Sequence, residues 1–371
     1  MDFLYIENLT KVFGLGTKNE VVAVKDLTLG VKKGEIVALL GPSGCGKTTT
    51  LRCIAGLETP TSGRIYIDGE DVTNQPPSRR DIGMVFQFAV VYDSVSVYEN
   101  IALPLKAKKI SETEIRRKVK EVAEFFGLSN YLDRKPAGLD IATRQRIALA
   151  RALAKEPRIL LLDEPLTPLD PLSRVKLRVD IKRLQKEKIS TVIYVTHDQS
   201  EAMTLADRVA IMRDGKLIQC STPENVYLTP ADTFVARFIG EPGMNLIESK
   251  LIVHQGDAFI NVGDQSFKLC SEADLKVKKV EDLILGIRPE HIDITDQPAD
   301  LQGTVTFVEI HGNRSLVHIN INGNDVVVKH PTVFSGKINE KVWIRLQRDR
   351  IVLFDRETGR NLELKEASEH A

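Results

Sequence analysis

The sequence predicts an α/β domain followed by a smaller all-β domain. Strand-like and helix-like segments alternate from the N-terminus to about Val235. The run Ile36 to Leu40, the segment Gly41-Pro42-Ser43-Gly44-Cys45-Gly46-Lys47-Thr48 and the run Thr49 to Ala55 read as a strand, a glycine-rich loop and a helix in succession. Beyond about Ala236 the texture changes to short alternating runs.

The first of these elements is chemically specific. The segment from Gly41 to Thr48 fits G-x-x-x-x-G-K-[ST], the phosphate-binding P-loop, and its strand and helix flanks are those the motif requires. Glycines let the backbone curl so that successive N–H groups point at phosphate oxygens, and the helix N-terminus adds the positive end of its dipole. Lys47 is expected to reach the β- and γ-phosphates of ATP, and the Thr48 hydroxyl to ligate Mg²⁺, with Thr49 continuing the cradle. Cys45 lies within the loop, where it reads as a small filler with alkylation sensitivity as the alternative.

Further along, Ser111 and Glu114 form a capping-box pair. Ile115, Val119 and Val122 share one helical face, and Gly127 suits the stop, so a helix is expected over Ser111 to Phe126. Ile159-Leu160-Leu161-Leu162 then reads as a buried strand ending in Asp163-Glu164. Asp163 is expected to hold the Mg²⁺ shell, and Glu164, one residue past the strand, to polarise an attacking water. Four apolar residues before two carboxylates are a weak signal alone and a strong one after a P-loop.

In the second half, strands are expected over Thr304 to Ile310, Leu316 to Ile321, Val326 to Lys329, Val342 to Leu346 and Ile351 to Phe354. Asn322-Gly323 is a hairpin signal. A small β-barrel or sandwich follows, with a hinge near Gly240 to Asn245. The polar tail past Glu363 is expected to fray.

Composition bounds the function. The 371 residues suggest at least two domains, and a hydrophobic content of 42% is ample for packed cores. No run approaches the roughly 18 apolar residues of a membrane span. No secretory signal is visible in MDFLYIENLT. Cys45, Cys53, Cys220 and Cys270 have neither metal spacing nor a disulfide framework and read as reduced thiols. A formal net charge of +0 argues against a dedicated nucleic-acid binder, as does a barrel whose aromatics are scattered as Phe307, Phe334 and Trp343.

Several segments together resemble the ATPase subunit of an ABC transporter of the carbohydrate-importer class, over nearly the whole chain. Val85-Phe86-Gln87 resembles the family's Q-loop, Asp163-Glu164-Pro165 its Walker B end and Leu169-Asp170-Pro171 its D-loop. Val195-Thr196-His197-Asp198-Gln199 with Glu201-Ala202 resembles its switch-histidine segment. Gly286-Ile287-Arg288-Pro289-Glu290-His291 resembles the signature of its C-terminal OB-like domain.

The resemblance implies an α/β P-loop ABC ATPase domain with a helical subdomain over residues 1–236, and an OB-like regulatory domain over 237–371. It implies that Phe13 stacks on adenine, with a core phenylalanine as the alternative. Gln87 would touch Mg²⁺ or the nucleophilic water and begin a loop, running to Asn100, that presses on a membrane partner. His197 would contact the γ-phosphate and act as the switch, and Asp170 would organise the opposing subunit's site. Arg288, Glu290 and His291 would form a regulatory or inter-subunit contact, or else a salt bridge in a turn. The implied setting is peripheral, on the cytoplasmic face of a membrane. Two permease subunits, a second ATPase subunit and an outer solute-binding protein would be partners, and a carbohydrate or polyol the cargo. Another solute, such as a metal or polyamine, and a non-transport role on nucleic acid are the alternatives.

The chain departs from the family pattern at one place. The signature LSGGQ, which caps ATP from the opposite subunit, reads here Leu139-Asp140-Ile141-Ala142-Thr143. Asp140 still suits an N-cap, so a helix is expected from Ile141 to Lys155. A carboxylate cannot donate a hydrogen bond to a phosphate, however, and it repels one. Two like unit charges about 4 Å apart cost about 4 kcal/mol at an effective dielectric constant of about 20. The Ile141 side chain also hinders the close backbone approach that glycine permits. Little ATP closure is therefore expected at the opposing site, which favours an ATPase heterodimer with an intact partner over a homodimer.

Overall fold

The computed structural model describes residues 2–108, 110–188, 191–275 and 281–363. The tail past Glu363, expected to fray, lies outside the described residues. The chain divides into two compact units, Met1–Pro223 and Glu224–Ala371. Residues 224–236, which the sequence reading places with the first domain, cluster with the second.

The first unit opens with β1 (Leu4–Phe13), β2 (Val21–Val31) and β3 (Ile36–Leu40), then α1 (Lys47–Ala55), β4 (Ser62–Ile67), β5 (Glu70–Asp71) and β6 (Ile82–Val85). Three helices follow, α2 (Val97–Ala107), α3 (Glu112–Phe125) and α4 (Ile141–Ala154). The unit ends with β7 (Ile159–Asp163), α5 (Pro171–Lys188), β8 (Thr191–Thr196), α6 (Gln199–Leu205), β9 (Arg208–Arg213) and β10 (Lys216–Ser221). A six-stranded sheet runs β10-β9-β3-β8-β7-β6, with β9, β3, β8, β7 and β6 parallel. All residues of β3, β7 and β8 are buried, as expected of strands covered on both faces. A four-stranded antiparallel sheet, β2-β1-β4-β5, shares one apolar core with it through Leu4, Ile6, Leu39, Leu161 and Ile193.

The helix expected after Ser111 forms as read. Ser111 Oγ accepts from the Glu114 amide at 3.3 Å, Ile115, Val119 and Val122 are buried, and Gly127 takes φ +66° just past the end. The helix predicted from Ile141 also forms, capped by Asp140 and ending at Ala154.

The second unit begins with α7 (Pro223–Leu228) and α8 (Thr233–Phe238), and β11 (Asn245–His254) starts its strands. Then come β12 (Asp257–Val262), β13 (Gln265–Ser271), β14 (Asp282–Ile287), β15 (Ile292–Thr295), β16 (Leu301–His311), β17 (Arg314–Ile321), β18 (Asn324–His330), β19 (Lys341–Leu346) and β20 (Val352–Asp355). Two five-stranded sheets, β13-β12-β11-β14-β20 and β15-β19-β16-β17-β18, close on a single core that includes Ile260, Leu285, Val317 and Ile344. Asn322 and Gly323 take φ +49° and +85° between β17 and β18, the two positive values of a type I′ hairpin.

Arg288 corrects an expectation. It is 1% exposed, and its guanidinium donates to the carbonyls of Tyr227 (2.7 Å), Ala236 (3.1 Å) and Ile239 while stacking on the Tyr227 ring at 4.0 Å. The Tyr227 hydroxyl in turn bonds Glu290. Arg288 is a buried staple between β14 and the segment that carries α7 and α8, not a surface salt bridge in a turn. A burial this complete is tolerable because the guanidinium N–H groups donate to backbone carbonyls.

Candidate functional site

The loop between β3 and α1 is shaped by its glycines. Gly44 and Gly46 take φ +79° and +100°. A Cβ on Gly46 would sit 2.3 Å from the Ala23 carbonyl, and one on Gly41 would sit 2.2 Å from the Met212 carbonyl. The backbone therefore passes where only glycine fits, between β2 and β9. Within this curl Lys47 is 6% exposed, and its ammonium donates to the carbonyls of Gly41 (2.8 Å) and Pro42 (2.9 Å).

Thr48 Oγ1 donates to Asp163 Oδ1 at 3.0 Å, joining the first turn of α1 to the end of β7. Burial pushes the Asp163 carboxyl upward, and the Thr48 hydrogen bond counters part of the rise. Glu164 follows in the left-handed region at φ +46°, with its amide bonded to the Val195 carbonyl at 2.9 Å. Such a backbone is costly for a residue with a Cβ and persists only where neighbours hold it. Here it turns the carboxylate toward His197, whose Nδ1–H donates to Glu164 Oε2 at 3.0 Å, and Thr167 Oγ1 donates to the same oxygen at 3.2 Å.

His197 is itself positioned from beneath. Glu201 is 2% exposed and accepts from the Tyr194 hydroxyl at 2.7 Å and Thr196 Oγ1 at 2.8 Å. Asp198 caps α6, accepting from the Glu201 amide at 3.1 Å. The turn carrying His197 is thus pinned on both sides.

A cavity of about 510 Å³ gathers Ser43, Gly44, Cys45, Gly46, Lys47, Thr48, Thr49, Gln87, Glu164 and His197 with Ala23. Asp163 is joined to it through Thr48, and the carbonyls of Gly41 and Pro42 through Lys47, while none of the three is among its lining residues. Phe13 is not among its lining residues. It stands 39% exposed at the end of β1, with the Lys11 ammonium 4.8 Å above its ring. Cys45 is 4% exposed, and burial raises its thiol despite the pull of Lys47, which favours a filler over a reactive thiol.

Two residues that sequence reasoning missed support this cavity. Ala23 lends it a backbone wall. Arg80, 1% exposed, donates to the carbonyls of Cys53 (2.7 Å), Ile54 (2.8 Å), Thr73 (2.9 Å) and Gln75 (2.9 Å). It caps the C-terminal end of α1, where a cation suits the helix dipole. A cation ringed only by backbone carbonyls leaves no paired side chain for a sequence reader to find.

These groups fit a nucleotide with a hard divalent cation. The cradle leaves no room for a Cβ at Gly41 or Gly46, a buried ammonium sits beside it, and a hydroxyl and a carboxylate present oxygens 3.0 Å apart. Among the described residues no three His, Cys, Asp or Glu side chains form a metal site of their own.

The segment aligned with the signature lies at the start of α4. Asp140 accepts from the Thr143 amide and from Thr143 Oγ1, each at 2.8 Å. Burial would raise its carboxyl, but these hydrogen bonds outweigh it and hold the group below the ordinary aspartate value. The Ile141 side chain stands 57% exposed beside it. From the same helix Gln145 reaches the Phe86 carbonyl at 3.4 Å, Arg144 grips Asp93 at 2.7 Å, and Arg151 bonds the Val90 carbonyl. Helix α4 therefore holds the loop that follows Gln87.

Three stretches of the chain match known families. Residues 24–167 match the ABC transporter family, residues 240–292 the MalK OB fold domain and residues 285–354 the TOBE domain. The chain is 42% identical to the trehalose/maltose import ATP-binding protein MalK of Thermococcus litoralis, over 94% of this chain and 96% of that one. It is 40% identical to the sn-glycerol-3-phosphate import ATP-binding protein UgpC of Vibrio vulnificus (96% and 94%) and 40% to the xylose/arabinose import ATP-binding protein XacJ of Haloferax volcanii (97% and 95%). Among solved structures, cbiO1 from Clostridium perfringens, part of the ABC transporter complex cbiONQ, is 31% identical with a TM-score of 0.56, covering 61% of this chain and 90% of that one. A dimeric ATP-binding cassette in a post-hydrolysis state with ADP and Pi is 35% identical with a TM-score of 0.54, covering 59% and 98%.

Proposed function

We infer the function of this chain from its family: it belongs to the ATP-binding, ATP-hydrolysing subunits of ABC transporters, with the MalK-type OB and TOBE regions at its C-terminal end. On that premise it drives import of a sugar or a glycerol phosphate, the cargoes named for its relatives. The observation that carries the reading is the convergence of the loop lysine, the Thr48–Asp163 pair and the Glu164–His197 pair on one cavity.

The residues take these roles. Loop amides and Lys47 bind the phosphates and stabilise charge that develops on them. Thr48, Asp163 and Gln87 would hold Mg²⁺, which would neutralise phosphate charge. Glu164 accepts a proton from the attacking water, held in aim by its strained backbone, by Thr167 and by His197. His197 keeps its second ring nitrogen for the terminal phosphate. Phe13, exposed at the end of β1, would stack on the base.

Phe86, Phe88, Val90, Tyr92 and Val95 are exposed on the segment between β6 and α2, an apolar surface that suits a permease subunit. Among the described residues no helix is long and apolar enough to cross a membrane, so a membrane-bound partner would supply the route. ATP-driven closure would switch that route, and hydrolysis at Glu164 would reset it. The face containing Asp140 offers an opposing phosphate a carboxylate and an isoleucine. We therefore place this chain in a heterodimer whose partner ATPase carries a donor-bearing signature.

Purification of the intact membrane complex through a tag on this chain tests the reading. Recovery of two hydrophobic permeases and a second, different ATPase is expected, with ATP turnover stimulated by a binding protein loaded with a sugar or with sn-glycerol 3-phosphate. Recovery with RNA and no permease would overturn it.

A further inference from the structure

We propose that the second unit carries a binding site for a small phosphate-bearing metabolite, distinct from the nucleotide cavity. A groove of about 620 Å³, within the range of small-molecule sites, opens where β16, β17 and β18 face the segment from Gly240 to Pro242. Its lining includes His311, Asn313, Arg314 and Lys329, with Glu241 across from them.

Strand register places the cations together. His311 pairs with Arg314 between β16 and β17, and Leu316 pairs with Lys329 between β17 and β18. Opposed residues share a sheet face, as do residues two apart on one strand. His311, Arg314, Leu316 and Lys329 therefore stand on one face, while Ser315, Val317 and Ile319 on the other are wholly buried in the core.

The two fixed charges form no ion pair among the described residues, and the one carboxylate in the groove lining, Glu241, offsets only part of them. Arg348 and Arg356 in the same unit pair with Asp300 at 2.6 Å and Glu248 at 2.8 Å. Arg314 and Lys329 have no such partner among the described residues. The nearby carboxylate of Glu309 is engaged by His311 at 3.1 Å and His318 at 3.2 Å instead. A guanidinium fork and a mobile ammonium facing one groove match a phosphate dianion, which offers three acceptor oxygens. The Asn313 amide adds a donor. Glu241 supplies an acceptor suited to hydroxyl groups, so a polyol or sugar phosphate would use both sides of the groove, and inorganic phosphate only one.

Titration calorimetry on the full chain tests this, with inorganic phosphate, sn-glycerol 3-phosphate and glycerol as probes. Wild type and Lys47→Ala are titrated in parallel, since Lys47→Ala weakens phosphate binding at the nucleotide loop. Both are expected to bind a phosphate-bearing probe in the groove, with no heat from glycerol. Arg314→Gln with Lys329→Gln, added to Lys47→Ala, is expected to weaken that binding at least about tenfold. Arg314→Lys, which keeps the charge, is expected to retain most of it, separating charge loss from misfolding. Tighter binding of sn-glycerol 3-phosphate that Glu241→Gln abolishes would assign a polyol phosphate, and equal affinities would assign the free anion. No binding in Lys47→Ala, an affinity unmoved by the double substitution, or glycerol binding as well as its phosphate would overturn the site. None of these outcomes depends on ATP turnover, so failure here is distinguishable from failure of the transport reading.

Discussion

Asp140 turns both of its carboxylate oxygens onto one residue, Thr143, accepting from its amide and its hydroxyl at 2.8 Å each. The cap is a good one for α4, and it spends the oxygens on the helix itself. What remains facing outward is a negative charge with no hydrogen to donate. Helix start and trans-acting phosphate clamp are separate demands, and this segment meets the first alone.

The cap has a pH signature. Asp140→Ala is expected to destabilise the first unit by about 1 kcal/mol near neutrality. The folded carboxyl titrates below its unfolded value, so the stabilisation is present above about pH 4 and is lost as pH falls through the folded pKa. Melting curves of wild type and variant should therefore converge in acid. A gap that persists there would assign the effect to packing.

Glu164→Gln is expected to lower ATP turnover of the assembled transporter by about 10²–10⁴-fold, the range for losing a general base. Nucleotide binding, followed by fluorescence of a labelled ATP analogue, should be retained because Lys47 and the loop amides are untouched. His197→Ala should reduce turnover while Kd for nucleotide changes little. Loss of binding in either variant would place these residues in the cradle instead.

Arg80→Met should be among the most destabilising single changes in the first unit. It strips donors from four carbonyls at the end of α1 and at Thr73 and Gln75, and an unsatisfied buried polar group costs about 1–3 kcal/mol. Thermal melting should reveal a fall of several degrees, partly reversed by saturating ATP. A melting point equal to wild type would contradict the capping role.

Cys45 should resist N-ethylmaleimide at pH 7.5, because burial both shields the thiol and raises its pKa. Peptide mass spectrometry of the native chain should find Cys45 unmodified long after denatured protein is fully labelled. Rapid labelling would mean the loop opens readily.

Much of the site is legible in the sequence because phosphate chemistry demands particular residue types in contiguous order. Gly41 to Thr48 and Asp163-Glu164 are of that kind, whereas the Asn322-Gly323 turn is legible for a different reason, the two positive φ angles that a type I′ hairpin needs. What stays hidden depends on partners remote in the chain. Arg80 serves carbonyls of Cys53 and Ile54, and Arg288 those of Ala236 and Ile239. Backbone carbonyls carry no residue-type signal, so Arg80 draws no expectation from the sequence, and Arg288 reads as a regulatory or inter-subunit contact or a salt bridge in a turn. Glu164's left-handed backbone is equally silent, since it follows from the hydrogen bond to Val195. The groove beside Arg314 and Lys329 emerges only once register sets three strands side by side.

ATP turnover by the purified chain alone, wild type against the quadruple variant Asp140→Ser, Ile141→Gly, Ala142→Gly and Thr143→Gln, is the most direct measurement of the asymmetry between a competent cradle and a mute lent face. Turnover near background for wild type and at least about tenfold higher for the variant is the expected result, by the size of charge repulsion removed. Vigorous wild-type turnover that Glu164→Gln abolishes would contradict it.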